Sequence, residues 1–180
     1  MPYLFRVCRF DMDHEAYIKF VLENHQDLNL PYPFHVMLSF AGSPLVLGKA
    51  MLVIDEESYE LVGAAGFVFG TGANDHQDRN VCQAELAFLL PKHRGKPLFV
   101  RGLQTLLDCV AEDNPDVEWF QFWLPGDQAE LTKLCSKLSS LPGASLQTVN
   151  GMSLYRIPFG ELAAYARSLL RGSAKVANGS

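Results

Sequence analysis

Apolar positions along the chain switch repeatedly between a period of two and helical spacing. Tyr3 to Phe10 alternates as a strand does. Asp11 and Asp13 then supply helix N-caps. Tyr17, Phe20 and Val21 stand at helical spacing behind them, so a helix is predicted that ends between Asn24 and Asp27. Leu30-Pro-Tyr-Pro-Phe-His35 carries two prolines and cannot be a regular helix. Val36 to Phe40 predicts a short one. Lys49 to Ile54 and Glu60 to Phe69 are strand-like runs on either side of the polar link Asp55-Glu-Glu-Ser58, the pattern of a β-hairpin. Val81 to Leu90 is a third long strand. Strict alternation puts Gln83, Glu85, Ala87 and Leu89 on one face, and Cys82, Ala84, Leu86, Phe88 and Leu90 on the other.

Pro91-Lys-His-Arg-Gly-Lys-Pro97 breaks that strand. Phe99, Leu103, Leu106, Leu107 and Val110 then form the apolar stripe of a helix that Asn114-Pro115 stops. Val117 to Leu124 is an aromatic strand. A helix carrying Leu131, Leu134, Cys135 and Leu138 is predicted after the turn Pro125-Gly126-Asp127. Asn150-Gly151 is a strong turn pair between the strands Ser145 to Val149 and Met152 to Ile157. A last helix is predicted from Gly160 to Leu170, and the polar residues after it read as a fraying tail. Consecutive hairpins give a largely antiparallel sheet. The strand–helix–strand step from Val81 to Leu124 adds one parallel pair. The fold class is α+β, or mixed α/β, with helices laid on a sheet. Residues 1–170 form one domain, and 171–180 form a flexible C-terminal tail.

Composition sharpens this picture by exclusion. The chain has 180 residues, 48% of them hydrophobic and 19% charged, which is globular and not disordered. Twenty acids against fifteen bases leave a net charge of −5. That disfavours a nucleic-acid partner, which requires surplus Lys and Arg. The longest uncharged apolar run is Leu61 to Phe69, too short to span a bilayer. The N-terminus lacks the basic segment and long apolar core of a signal peptide. Four widely spaced cysteines, with no Cys-x-x-Cys among them, argue against a zinc site and a disulfide framework. A cytoplasmic location is expected. The oligomeric state stays open, a homodimer included.

The element order and one segment together resemble the GCN5-related N-acetyltransferase superfamily. The segment is Glu85-Leu-Ala-Phe-Leu-Leu-Pro-Lys-His-Arg-Gly-Lys-Pro-Leu-Phe-Val-Arg-Gly-Leu103. Leu61-Val-Gly-Ala-Ala-Gly-Phe67 and Pro125-Gly-Asp-Gln-Ala129 match more loosely. The resemblance implies a mostly antiparallel central sheet of about six or seven strands with helices on both faces. It implies acyl transfer from acetyl-CoA or another acyl-CoA to a small-molecule or peptide amine, without a metal. It implies that Leu89, Leu90, Arg94, Gly95, Lys96, Leu98 and Phe99 hold the cofactor. Backbone N–H groups at the helix start would take the pyrophosphate, since a helix N-terminus offers unsatisfied donors and a positive dipole end. The loop departs from the family pattern at two positions. Pro97 stands where a glycine is expected and has no N–H to donate. Phe99 stands where a small residue is expected. Cys135 occupies a position that often holds a tyrosine acid.

Each candidate has a plainer reading beside it. Glu85 is the candidate general base, direct or through water, and Glu118 is the second. A Glu at the sheet surface, or one paired with a Lys or Arg, is the alternative for Glu85. Lys92, His93, Arg94, Lys96 and Arg101 form an anion site or an ordinary charged loop. Cys135 is a weak acid or nucleophile, or a core thiol. Tyr32 and Phe34, with His35, line an acceptor pocket or pack under the proline loop. Asp75-His76-Gln77-Asp78 reads as a hairpin loop rather than a metal cluster. Two functions follow: an acyl-CoA-dependent N-acyltransferase, or a catalytically inactive binding or regulatory protein of the same fold. The side to which Phe99 turns discriminates between them.

Overall fold

Runs of β-branched and small residues build the strands, and the turns between them fall where Gly, Asn and Asp gather. The computed structural model describes residues 2–128, 132–133 and 135–177. The chain divides into two compact units, Met1–Pro91 and Lys92–Ser180. Among the described residues no helix is long and apolar enough to cross a membrane.

In the first unit, β1 (Tyr3–Val7), β2 (Gly48–Asp55), β3 (Leu61–Phe69) and β4 (Val81–Leu89) pair antiparallel in that order. The helices α1 (Asp11–Glu23) and α2 (Phe34–Leu47) pack against this sheet. Tyr17, Phe20 and Val21 of α1 and Met37 and Ala41 of α2 meet Ala50, Leu52, Ala64, Leu86 and Phe88 in one apolar cluster. The register pairs Ala50 with Gly66 and Leu52 with Ala64, so the helices lie over small strand residues. Such residues let a helix approach the sheet closely.

The start of α1 is fixed by Asp13, which is buried. Its carboxylate accepts the N–H of Arg9 at 3.0 Å and of Phe10 at 3.3 Å, and it pairs with Arg6 at 2.8 Å. Asp13 thus caps from inside the first turn, rather than from the N-cap position itself.

The helix α2 runs to Leu47, well past the Phe40 end expected from sequence. Pro44 lies inside it and deprives the Phe40 carbonyl of its usual N–H donor. The Ser43 hydroxyl donates to that carbonyl at 3.2 Å instead.

In the second unit, α3 (Lys96–Asp113) precedes β5 (Trp119–Pro125), β6 (Ser145–Val149), β7 (Met152–Pro158) and α4 (Phe159–Ala177). β7 lies between β5 and β6 and pairs antiparallel with both. The β6–β7 turn is the Asn150-Gly151 pair, and both residues have positive φ, at 50° and 77°. Phe122 of β5 stacks on Tyr155 of β7 with centroids 4.9 Å apart. The helices α3 and α4 pack on each other. α4 continues to Ala177, where the sequence predicted an end at Leu170; Ala and Lys in the extension are good helix formers. The predicted helix after Asp127 falls partly outside the described residues, Leu131 and Leu134 included.

Two glycines should respond to alanine with opposite signs. A Cβ on Gly48 would run into the Phe67 carbonyl of the neighbouring strand. A Cβ on Gly42, in α2, would meet nothing within 4 Å. Gly48→Ala is expected to destabilise by about 3 kcal/mol. Gly42→Ala is expected to stabilise by roughly 0.5–1 kcal/mol. Urea unfolding of both variants checks the pair.

Candidate active site

The site begins with an irregularity in β4. Gly66 of β3 pairs with Leu86, but the next residue, Phe67, pairs with Ala84. Glu85 is therefore the extra residue of a β-bulge. Bulges re-aim a side chain and concentrate near active sites. This one also breaks the alternation expected for the strand. Gln83 pairs with Val68 and Leu86 with Gly66, so those two side chains share a face. Leu86 and Phe88 belong to the core beneath α1 and α2.

The bulge leaves Glu85 half-buried. Its carboxylate accepts a hydrogen bond from the Gln83 amide at 2.9 Å. The partner is a neutral amide, not the lysine or arginine of the plainer reading. Burial raises its pKa above the usual carboxylate range, while the Gln83 bond and the charge of His76 pull the other way.

One group contacts it and three more interact with it electrostatically. Tyr17 comes from α1, Tyr32 from the segment before α2, His76 from the β3–β4 loop and Gln83 from β4 itself. The negative charge of Glu85 raises the pKa of both tyrosines, adding to burial. Tyr17 is fully buried, and its hydroxyl has no hydrogen-bond partner among the described residues. An unsatisfied buried hydroxyl costs about 1–3 kcal/mol. It lies over Gly66. A Cβ there would sit 3.0 Å from Tyr17 Oη and 2.6 Å from Pro44 Cγ.

The β3–β4 loop that carries His76 is held by one carboxylate. Asp78 accepts from the Thr71 N–H at 2.7 Å, the Thr71 hydroxyl at 2.8 Å and the Asn74 amide at 3.0 Å. Burial opposes its ionisation, but these bonds outweigh burial and hold its carboxyl below the usual range. The imidazole Nδ1 of His76 is 3.2 Å from the Gly70 carbonyl. Asp75 and His76 both adopt left-handed backbone, at φ 51° and 57°. The acidic run thus serves as a loop scaffold.

The other acceptor-pocket candidates separate. Tyr32 packs on Phe40 with centroids 5.2 Å apart and faces the Glu85 charge. Phe34 is exposed and meets the ring of His25 edge-on at 5.3 Å. Leu89 and Leu90 are part-buried at the end of β4, and the Leu90 N–H donates to the Val62 carbonyl at 2.8 Å.

In the second unit, Arg94, Gly95 and Lys96 are exposed at the start of α3, and Leu98 is buried. Gly95 is the N-cap and supplies no side-chain cap. A Cβ at Gly95 would meet nothing nearer than Pro97 Cδ at 3.9 Å, so packing does not demand this glycine. Pro97 lies in the first helical turn, where its missing N–H breaks no helical bond. The start of α3 thus has no side-chain cap and has basic neighbours, though Pro97 offers no N–H and the Phe99 N–H donates to the Gly95 carbonyl at 3.0 Å.

Phe99 lines a groove of about 320 Å³ together with Lys96, Val100 and Leu103 of α3 and Tyr165 and Leu169 of α4. Lys133, Lys137 and Leu138 complete the walls. The groove has an apolar floor and three lysines. Glu118 is exposed just before β5, and its backbone carbonyl accepts from Phe159 N–H at 2.8 Å. Cys135 is buried, and burial pushes its thiol up to about 11, so it stays protonated at neutral pH and is no thiolate nucleophile.

Sequence reasoning singled out Glu85, Tyr32 and the basic loop. It missed Tyr17, Gln83 and His76 as parts of one constellation. Tyr17 was hidden in an apolar helical stripe. The available signals were a tyrosine hydroxyl among core residues and a Gln two positions before a Glu.

No family model and no curated protein matches the sequence. Solved structures do. The ribosomal-protein-S5-alanine acetyltransferase from Vibrio fischeri aligns over 89% of this chain and 94% of its own, with a TM-score of 0.60 and 13% identity. Spermidine N-acetyltransferase from Vibrio cholerae, as a single-residue mutant, aligns over 88% and 96%, at 0.58 and 12%. The NatC complex, solved with Gag peptide and CoA, contains a chain that aligns over 88% and 99%, at 0.61 and 12%. The fold is that of the GCN5-related N-acetyltransferases, a mixed α+β fold with mostly antiparallel strands.

Asp13 and Glu85 should shape the pH dependence of stability with opposite signs. The pKa of Asp13 is lowered, first by the Arg9 N–H. Its contribution is present above the ordinary Asp value of about 4 and is lost as pH falls through the lowered one. The pKa of Glu85 is raised, so its carboxylate form is disfavoured in the folded state. Glu85→Gln is therefore expected to gain stability over the wild type at pH 7 and to lose that advantage at pH 4. Asp13→Asn should lose stability at pH 7 and lose less at low pH. Urea unfolding at both pH values reads both effects.

Proposed function

We propose that this protein is an acyl-CoA-dependent N-acyltransferase acting on a small-molecule or peptide amine. The observation that carries the reading is Glu85. A β-bulge sets its carboxylate half-buried, against tyrosine and amide neighbours, in a fold shared with acetyltransferases. The structural neighbours named for spermidine and for a bound peptide set the range of acceptors.

The acceptor arrives as an ammonium and must lose a proton before it can attack. Glu85 takes that proton, directly or through water. Its raised pKa brings base and substrate closer in proton affinity, which suits transfer near neutral pH. The amine nitrogen forms a bond to the thioester carbonyl carbon. The nitrogen of the tetrahedral intermediate gives its second proton to solvent, and the intermediate collapses with loss of the C–S bond. A thiol has an ordinary pKa of about 8.5, so CoA departs as thiolate and takes its proton from solvent. A buried thiol at about 11 is a poorer donor than that leaving group needs, so Cys135 has no part in the step. The start of α3 binds the CoA phosphates through uncapped N–H groups, with Arg94 and Lys96 supplying charge. Tyr32 forms part of the wall around the acceptor.

The test is release of free thiol from acetyl-CoA with spermidine and with short peptides as acceptors. Saturable turnover is expected. Glu85→Gln should lower kcat/KM by about 10²–10⁴ with the fold intact by circular dichroism. Full activity in that variant removes Glu85 as the base. Absence of turnover with any thioester and any acceptor removes the acyltransferase reading.

A further inference from the structure

The strands β5, β6 and β7 carry one charged side chain among them, Arg156. Their two faces differ. Phe120, Tyr155 and Ile157 share one face and are buried. Trp119, Gln121 and Trp123 of β5 and Leu154 and Arg156 of β7 alternate with them and lie on the other. The register sets Arg156 opposite Gln121 and Leu154 opposite Trp123. On this second face Trp123 is 38% exposed, while Trp119, Leu154 and Arg156 are part-buried. The guanidinium carbon of Arg156 lies over the Trp119 ring, 4.5 Å from its centroid. A cation–π contact holds a guanidinium in place without using its N–H donors. Arg156 makes no ion pair among the described residues. Burial strips water from a charge, so a part-buried cation without a counterion is favourable ground for an anion.

We propose that this face binds a small apolar carboxylate: the carboxylate pairs with Arg156, and the apolar body lies on Trp123 and Leu154. A guanidinium offers a carboxylate two parallel N–H bonds. The charge balance selects a carboxylate over a phosphate. A phosphate monoester carries about two charges near neutral pH and calls for a second cation. These three strands hold only one. The indole of Trp123 and the branched chain of Leu154 supply apolar area beside the charge, which favours an aromatic or branched body over acetate. The inference concerns the second unit alone and stands whether or not the protein transfers an acyl group.

The test is titration of the full chain with 3-phenylpropionate and with 3-phenylpropanamide, which keeps the ring and lacks the charge. Trp119 and Trp123 are the only tryptophans of the chain, so intrinsic fluorescence reads this face directly. Calorimetry repeats the titration in each variant. The wild type is expected to bind the carboxylate saturably, roughly tenfold or more tighter than the amide, as a charge-assisted pair provides. Arg156→Gln should bind the two ligands equally. Trp123→Ala should weaken both alike. Arg156→Lys keeps the charge and loses the fork, so it should lower the preference severalfold. It also carries the test if Arg156→Gln fails to fold by circular dichroism. Equal affinity for the two ligands in the wild type overturns the proposal, as does a preference that survives unchanged in the Arg156 variants. No saturable binding of 3-phenylpropionate at millimolar concentration overturns it too.

Discussion

The close approach of two helices to β3 at Gly66 is the constraint on which the site depends. Pro44 and Tyr17 occupy the volume that a side chain at this position would fill. The small residues Ala50 and Ala64 extend the same depression. Helix α1 is held at its start by Asp13, and Tyr17 follows one turn later on the same face. The sheet answers with a bulge directly across from Gly66. A carboxylate that strict pleating would assign to one face is thereby turned into a partly apolar setting. Burial then raises its pKa above the usual carboxylate range. Packing, strand register and proton affinity are thus linked through one glycine.

The two units differ in their charged groups. The chain is acidic overall, with twenty acids to fifteen bases. Glu85, Tyr17, Tyr32 and His76 lie in the first unit. In the second, Arg94 and Lys96 flank an uncapped helix start, and Lys96, Lys133 and Lys137 rim an apolar groove. A local basic region on an acidic protein concentrates anionic ligands without making the molecule a general polyanion binder. Pro97 is comfortable in the first helical turn but withdraws one N–H from it, and Phe99 lines the groove.

Much of the fold was legible because period-two and helical stripes mark their elements directly. Tyr3 to Val7, the strands flanking Asp55 to Ser58, and the Asn150-Gly151 hairpin all form where the pattern put them. The misses have physical causes. α2 outruns its expected end because a serine hydroxyl compensates for Pro44 and the proline ring packs over Gly66. The face assignments along β4 fail at Glu85 because a bulge is a property of the pairing and leaves no mark in one strand alone. Glu85 itself was readable as a carboxylate in an apolar strand. The place of Tyr17 over Gly66 was not, since it depends on what lies opposite it in the sheet.

The central claim is that the helix start at Gly95 still accepts the phosphates of an acyl-CoA despite Pro97 and Phe99. Calorimetric titration of the protein with acetyl-CoA tests it most directly. The account predicts saturable binding in the micromolar range. No binding at millimolar ligand would contradict it, and would mean that the acetyltransferase fold has been kept here for another ligand.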